Sequence, residues 1–160
     1  MATQPNYKGA LTQYMTHPEE WTYHIPEGMT TMEGALVEPA AVGMHAAVLG
    51  GAQPGKSIVI LGGGTIGLMV LQACISLGAT DITVVDVIEK RLELAKKLGA
   101  ARVINGKEED TVAVLRSEEM YGDHGVDLVF EAAGAVFTAQ QAVQIVSRGG
   151  KIMMVGTQSK

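Results

Sequence analysis

Three glycines at fixed spacing near the middle of the chain are the first candidates for chemistry. Gly62, Gly64 and Gly67 form the pattern G-x-G-x-x-G between an apolar β-branched run and a stretch with helical periodicity. In such a turn the first glycine permits a tight bend, the second lets N–H groups approach a pyrophosphate, and the third lets helix and strand pack closely. Thr65 and Ile66 would begin the helix that faces the phosphate charge. The pattern predicts a dinucleotide site, although a plain glycine-rich turn between a strand and a helix would look similar.

Asp86 is the second element of the predicted site. It ends the next β-branched run, about 20 residues after Gly67, where a carboxylate accepts hydrogen bonds from the adenosine ribose hydroxyls. Its charge would repel the 2′-phosphate of NADP, so we expect NAD(H) to be the preferred cofactor. Arg91 follows one turn later, and two interpretations stay open for it: contact with the adenine face or ribose edge, or a solvated position on a helix surface.

Two loops of small residues supply the other candidate contacts. Ala132–Gly134 and Val155–Thr157 each follow a predicted strand, and ligands of open α/β sheets bind beyond the carboxyl ends of the strands. These loops either leave room for the ribose and nicotinamide or are simple tight turns. The full set of predicted cofactor residues is Gly62, Gly64, Thr65, Ile66, Gly67, Asp86, Arg91, Ala133, Gly134, Val155, Gly156 and Thr157.

The elements that must position these residues alternate between strands and helices from Lys56 onward. Short apolar runs alternate with longer helical patterns, which indicates parallel βαβ units with strands buried on both faces. The predicted strands are Ser57–Leu61, Asp81–Val87, Ala101–Ile104, Val126–Glu131 and Lys151–Val155. The predicted helices are Thr65–Leu77, Glu89–Leu98, Thr111–Met120 and Val136–Val146. Left-handed caps or tight connections are expected at Gly78, Gly99 and Gly149.

This pattern predicts an α/β fold, a Rossmann-type doubly wound parallel sheet of five strands. A complete dinucleotide fold has a sixth strand, which would have to follow Lys160. The first third of the chain differs and offers only two strand-like segments, Leu11–Tyr14 and Trp21–Ile25.

Two short helices are expected before the first strand of the sheet. Thr30 and Glu33 have the spacing of a capping box for a helix through Val37. Pro39 suits the first turn of a second helix that reaches about Leu49.

Composition excludes several classes of function. The net charge is -5, and no run of Lys or Arg could follow a phosphate backbone, so nucleic acid is not an expected partner. The apolar stretch 66–77 is interrupted by Gln72 and Ser76 and is shorter than the roughly 20 residues of a membrane span. A single cysteine, Cys74, and an N-terminus without a secretory pattern favour the reducing cytoplasm.

A family resemblance rests on the segment Glu33–Pro39 and on Val42–Ala46, which follows it. Further matching segments are Gly9–Tyr14, His17–Pro18 and Ile25–Pro26. From about Gly9 to Gly156 the sequence resembles the medium-chain dehydrogenases, within them the zinc-dependent polyol branch that includes sorbitol, xylitol and threonine dehydrogenases. The resemblance implies that residues 1–27 are the end of a catalytic domain and that residues 28–160 are an NAD-binding domain.

The same resemblance implies site residues. Glu38 would lie at the catalytic zinc, as an alternating ligand or as a partner of the metal-bound water, and NAD would contact Ile66, Asp86, Arg91 and Val155–Thr157. From its position alone, Glu38 is a solvated or capping carboxylate just before a proline. His45 in an apolar helical stretch is either a hydrogen-bonded packing residue or a metal ligand.

The sequence departs from the family at both zinc sites. The catalytic zinc of the family needs a Cys and a Gly-His-Glu segment, and its structural zinc needs a four-cysteine lobe, whereas this sequence offers only Glu38 for the metal. Cys74 lies inside a predicted helix and is interpreted as a packing residue. An open catalytic zinc takes about three protein ligands, so we do not expect this chain alone to bind zinc.

These observations lead to three hypotheses. In the first, the chain is the NAD(H)-binding domain of a zinc-dependent polyol or alcohol dehydrogenase and binds cofactor without turnover, so that enzymatic activity belongs to the parent protein. In the second, it is a non-catalytic Rossmann module that forms a homodimer through an exposed strand edge or an exchanged N-terminal segment. In the third, it borrows a zinc site from a separate catalytic chain. The sequence does not identify the polyol or alcohol.

Overall fold

The computed structural model of the chain describes residues 11–157. Residues 1–10 and 158–160, which include Gly9 and Ala10 of the family resemblance, lie outside this description. The chain divides into two units, one that ends at Ala35 and one that begins at Leu36.

The N-terminal unit contains a short 3-10 helix, Glu19–Trp21, and the first turn of helix α1. The predicted strands at 11–14 and 21–25 are wrong, since neither segment forms a strand. Leu11, Tyr14 and Tyr23 are largely exposed. The alternating apolar residues therefore have no buried face against which a strand could pack.

Helix α1, Thr31–Gly50, replaces the two predicted helices. Its capping box is confirmed, because the N–H of Thr30 donates to Oε2 of Glu33 at 2.8 Å and the N–H of Glu33 donates to Oγ1 of Thr30 at 3.2 Å. Hydrogen bonds from the backbone and side chain of Thr30 lower the pKa of Glu33. The predicted break before Pro39 is wrong, and the helix continues with one N–H fewer in its ladder.

Close packing explains why α1 continues past its proline. A Cβ on Gly43 would lie 2.5 Å from the carbonyl carbon of Met69, so the backbones of α1 and the next helix approach each other directly. Ala46 and Ala47 are buried in the same core. The tertiary contact of these small residues outweighs the local signal for a helix start.

Five parallel strands form one sheet in the C-terminal unit, in the order β3-β2-β1-β4-β5. This is the order of a doubly wound dinucleotide sheet through its fifth strand, so the predicted α/β Rossmann-type fold is confirmed. The strands are β1 Ser57–Leu61, β2 Asp81–Asp86, β3 Arg102–Asn105, β4 Val126–Glu131 and β5 Val146–Met154. Leu61 pairs with Val85 on one side and with Glu131 on the other, so the carboxyl ends of β1, β2 and β4 meet at one edge.

Helices connect the strands on both faces of the sheet. They are α2 Thr65–Ser76, α3 Glu89–Lys97, α4 Thr111–Leu115 and α5 Val136–Ile145. Gly78 and Gly99 have φ values of 88° and 104° directly after α2 and α3, as predicted for left-handed caps. One core cluster packs α1 and α2 against Ile58, Ile60 and other residues of one face, and a second packs α4 and α5 against Val59, Leu61 and other residues of the opposite face.

From Lys56 onward, two predicted boundaries differ from the structure by more than one residue. Helix α4 ends at Leu115 rather than Met120, because the hydroxyl of Ser117 and the N–H of Gly122 turn the chain there. Strand β5 begins earlier than predicted, at Val146, and contains a register irregularity between its pairings with Val126 and Leu128. Gly149, with φ 80°, lies within this irregular part of β5 and does not close a connection.

Within residues 11–157, no helix is long and apolar enough to cross a membrane.

Candidate functional site

The glycine loop lies between β1 and α2, and two of its glycines are required by close approach. Gly62 has φ 109°, and a Cβ there would lie 2.8 Å from the backbone nitrogen of Ala133. A Cβ on Gly67 would overlap the carbonyl oxygen of Gly62. The loop therefore fits only if both positions lack a side chain.

Gly64 differs from its neighbours, because the space beside it is open. A Cβ at this position would meet no atom within 4 Å, and the φ of Gly64 is an ordinary -71°. Gly64 caps α2, whose first cap hydrogen bond joins the N–H of Leu68 to the Gly64 carbonyl at 2.9 Å. The N–H groups of Thr65, Ile66 and Gly67 precede that bond and have no partner within the helix. This end of α2 can receive an anion.

Asp86 connects the glycine loop to the turn after β2. Its Oδ2 accepts a 2.7 Å hydrogen bond from the N–H of Gly63, and its Oδ1 accepts bonds from the N–H groups of Val87 at 2.8 Å and Ile88 at 2.9 Å. The carboxylate is buried. Nη1 of Arg91 lies 3.4 Å from Oδ2, and the Arg91 side chain is half exposed. Arg91 thus borders both the carboxylate and solvent.

A cavity of about 490 Å³ opens above the carboxyl ends of β1, β2 and β4. Five predicted residues line it: Gly62, Gly64, Asp86, Arg91 and Ala133. The opposite wall comes from α4 and α5 and includes Thr111, Phe137, Thr138 and Gln141, none of which was predicted from the sequence as a site residue. No motif marks these four residues, because only the crossover helices bring them to this edge.

The two small-residue loops contact each other. A Cβ on Gly134, which has φ 72°, would lie 2.6 Å from the carbonyl oxygen of Thr157. A Cβ on Gly156 would overlap the backbone nitrogen of Gly134. The loops after β4 and β5 are therefore packed backbone to backbone. Ala132 and Ala133 of the first loop line the cavity, whereas Gly134 and residues 155–157 lie outside its lining.

Glu131, which was not predicted as a site residue from the sequence, lies beneath these loops. Its Oε1 accepts hydrogen bonds from the N–H groups of Ala133 at 3.0 Å and Gly134 at 2.9 Å, and from the hydroxyl of Thr138 at 2.7 Å. A signal was present in the sequence, since Glu131 ends an apolar strand with an acid just as Asp86 does.

Glu38 and His45 lie elsewhere, along a groove of about 510 Å³ between α1 and the end of β5. Val155 also lines this groove. Both Glu38 and His45 are exposed and form no hydrogen bond with a described residue, so the interpretation of His45 as a hydrogen-bonded packing residue is wrong. Nowhere in residues 11–157 do three His, Cys, Asp or Glu side chains converge as a metal site would require. The described residues do not fit a catalytic zinc.

Cys74 is a packing residue, as the sequence indicated. It is fully buried in the core beneath α2. Burial raises the pKa of its thiol to about 12.

A sequence profile of the family described as zinc-binding dehydrogenase matches residues 65–160. The chain belongs to this family. The predicted resemblance to zinc-dependent dehydrogenases is therefore confirmed.

Two curated relatives show what the chain is similar to. YdjJ of Escherichia coli K12, an uncharacterised zinc-type alcohol dehydrogenase-like protein, is 64% identical over 98% of the chain. A sorbitol dehydrogenase of Bacillus subtilis is 40% identical over the whole chain. The chain spans less than half of their lengths, 45% and 44%.

Two crystal structures share the fold. An Escherichia coli oxidoreductase/dehydrogenase of unknown specificity superposes with a TM-score of 0.91 at 62% identity, over 98% of the chain and 45% of that structure. A Sinorhizobium meliloti protein described as a putative zinc-binding dehydrogenase and bound to NADP gives a TM-score of 0.80 at 30% identity, over 85% of the chain and 40% of that structure.

Proposed function

We propose that this chain is the NAD(H)-binding part of a zinc-dependent polyol or alcohol dehydrogenase that works in the cytoplasm. The observation that carries the proposal is the hydrogen bond between the N–H of Gly63 and Asp86, which joins the glycine loop to the acid beside the cavity. Family membership and the sorbitol dehydrogenase relative supply the reaction class.

The strand order suggests how the cofactor lies. Asp86 and Arg91 at the end of β2 would hold the adenosine ribose, and the open face of Gly64 with the start of α2 would hold the pyrophosphate. The loops after β4 and β5 would then take the second ribose and the nicotinamide. NAD(H) would cross the sheet from β2 over β1 to β4 and β5.

The preference for NAD over NADP rests on Asp86. Its carboxylate already accepts three backbone N–H groups, and one of its two oxygens also faces Arg91. A ribose hydroxyl can take the place of the weak Arg91 contact, whereas a 2′-phosphate would bring a second negative charge beside a buried one. The Sinorhizobium meliloti relative is bound to NADP, so the fold itself does not reject a 2′-phosphate, and the acid at this position is the proposed determinant of NAD preference in this chain.

The bound cofactor would supply a hydride acceptor for a secondary alcohol. The described residues bind and orient it, and they do not form a zinc site. We therefore propose that this chain binds NAD(H) without oxidising an alcohol, and that turnover belongs to the whole protein. Neither a nucleic acid nor a membrane is part of the proposed function.

Titration of the dialysed chain with NADH tests this function directly. We expect saturable binding by calorimetry, weaker binding of NADPH, and no reduction of NAD when sorbitol is added. Absence of NADH binding at millimolar concentration would overturn the proposal.

Self-association is a second candidate function, and the position of β5 favours it. Among the described strands β5 pairs only with β4, and Met154 near its end is half exposed. The first part of this edge is protected against strand pairing by the charges of Arg148 and Lys151 and by the irregularity around Gly149. Ile152–Met154 are therefore left for pairing with a second copy. Light scattering tests this candidate, and a monomer at all accessible concentrations would exclude it.

A further inference from the structure

Glu131 is a fully buried carboxylate with an unequal set of partners. Oε1 accepts three hydrogen bonds, whereas Oε2 is buried without a partner among residues 11–157. Burying a carboxylate is costly unless hydrogen bonds or an opposite charge compensate, so a carboxylate oxygen buried without a partner calls for an explanation. The three donors to Oε1 all belong to the loop after β4 and the start of α5.

The same residue also holds the loop after β5. Its backbone carbonyl accepts the N–H groups of Val155 and Gly156, both at 2.8 Å. A Cβ on Gly156 would come within 2.9 Å of Oε2, so the carboxylate sets how closely that loop can approach. Glu131 therefore contacts both loops that the proposed nicotinamide half of the cofactor must meet.

Glu131 does not line the cavity, so any effect on the cofactor passes through these loops. The N–H groups of Ala133 and Gly134 point to Oε1, and the backbone of Gly134 packs on that of Gly156 and Thr157. Moving the carboxylate would shift both loops together. Asp86 and Gly64 share no hydrogen bond with Glu131, Ala133 or Gly134 among the described residues, so we expect them to keep their geometry.

We propose that Glu131 is a positioning residue that fixes the spacing of the loops after β4 and β5 and thereby sets affinity for the nicotinamide half of NAD(H). The inference rests on the proposed function. It assigns no chemical step to Glu131.

The other end of β4 supplies a matched control. Asp127 also accepts three hydrogen bonds, from the N–H and hydroxyl of Ser57 and from Lys56, at the amino ends of β1 and β4. Replacing either acid by its amide disturbs a carboxylate on the same strand. Only the change at Glu131 affects the loops after β4 and β5, at the carboxyl ends of the strands where the cofactor is proposed to bind.

The test compares Glu131→Gln with Asp127→Asn in the full chain, using NADH and ADP as ligands. ADP carries the adenosine and the pyrophosphate of NADH but lacks the nicotinamide riboside. Because hydrogen bonds to a charged oxygen are stronger than those to a neutral amide oxygen, we expect Glu131→Gln to loosen both loops, to weaken NADH binding at least about tenfold and to leave ADP affinity unchanged. Asp127→Asn should change neither affinity.

An equal loss for NADH and ADP, or no loss for NADH, would overturn the inference. Failure of the unmodified chain to bind either ligand would overturn the proposed function itself. If the unmodified chain binds NADH no more tightly than ADP, only the assignment of the nicotinamide half is overturned. If Glu131→Gln does not fold, Thr138→Val removes one donor to Oε1 and keeps the carboxylate. That variant should show the same selective loss for NADH at about threefold, and affinities equal to those of the unmodified chain would contradict the inference.

Discussion

The N–H of Gly63 donates a 2.7 Å hydrogen bond to Oδ2 of Asp86, so the loop after β1 and the end of β2 form a single unit. Asp86 therefore has two roles. It holds the backbone of the glycine loop, and it presents its charge to the cavity beside Arg91. A substitution at Asp86 must therefore change both stability and cofactor choice.

For Asp86→Ala we expect a shift of cofactor preference toward NADPH by about tenfold or more, because the repulsion of a 2′-phosphate disappears and Arg91 is left free to pair with it. The free energy of unfolding should also fall by about 1–3 kcal/mol, since three backbone N–H groups, of which that of Gly63 is buried, lose their acceptor. Titrations with NADH and NADPH measure the first effect, and denaturant unfolding measures the second.

Asp127→Ala is the control for Asp86→Ala. This substitution also removes a carboxylate that accepts hydrogen bonds from a backbone N–H and a side-chain hydroxyl, but at the amino ends of the strands, away from the cavity. It should lower stability and leave the ratio of NADH to NADPH affinity unchanged. An unaltered ratio in a folded Asp86→Ala chain would refute the role of Asp86 in cofactor choice.

Gly64 and Gly67 should respond to alanine in opposite ways. Gly67→Ala places a Cβ on the carbonyl oxygen of Gly62, and overpacking of this kind costs about 1–3 kcal/mol of folding free energy. Gly64→Ala meets no atom within 4 Å, so stability should be retained while NADH affinity falls, because the added methyl group occupies the proposed path of the pyrophosphate.

Denaturant unfolding and NADH titration of the two glycine variants separate these effects. A Gly64→Ala chain that binds NADH as tightly as the unmodified chain would place the pyrophosphate elsewhere. A Gly67→Ala chain of full stability would mean that α2 can move away from the glycine loop.

Comparison of Asp86 with Glu131 shows how far the sequence predicts this site. Both acids end a buried strand, but only Asp86 stands at a known distance from a glycine motif, and that spacing made it recognisable. The partners of Glu131 are backbone N–H groups and a threonine hydroxyl, which leave no pattern in the sequence. Local patterning predicted the bounds of β1, β2 and β4 to within one residue, because the interiors of these central strands are mostly apolar.

Contacts between residues that are distant in the sequence explain the remaining differences between the predicted and the observed structure. Nothing near Pro39 predicts a continuous α1, since the packing of Gly43 on Met69 depends on a helix that follows much later. The cavity wall formed by Phe137 and Thr138 likewise exists only once α5 has crossed to the far face of the sheet. Residue patterns predict which elements form, whereas the walls of the site depend on how those elements pack.

Asp127 should make the stability of the chain depend on pH in the acidic range. Burial alone would raise its pKa, but hydrogen bonds from the N–H and hydroxyl of Ser57 and the contact with Lys56 outweigh burial and lower the pKa. A lowered pKa in the folded state means stability that is present above the pKa of the unfolded chain, near 3.9, and is lost as the pH falls through the folded value. In urea unfolding, the free energy of unfolding of the unmodified chain should therefore exceed that of Asp127→Asn at pH 7, and this difference should shrink toward pH 3. A difference that stays constant with pH would contradict this assignment.

Cys74 should report on both folding and cofactor binding. Because burial raises the pKa of its thiol to about 12, roughly one thiol in ten thousand is ionised at pH 8, and the group is also shielded from solvent. We expect a thiol-specific reagent to leave the folded chain unlabelled and to label it fully in denaturant. Saturating NADH should slow the residual labelling in mild denaturant further, since a ligand that binds only the folded state lowers the population of opened chains. Labelling of the native chain at the rate of a free thiol would contradict the buried position, and labelling unaffected by NADH would count against cofactor binding.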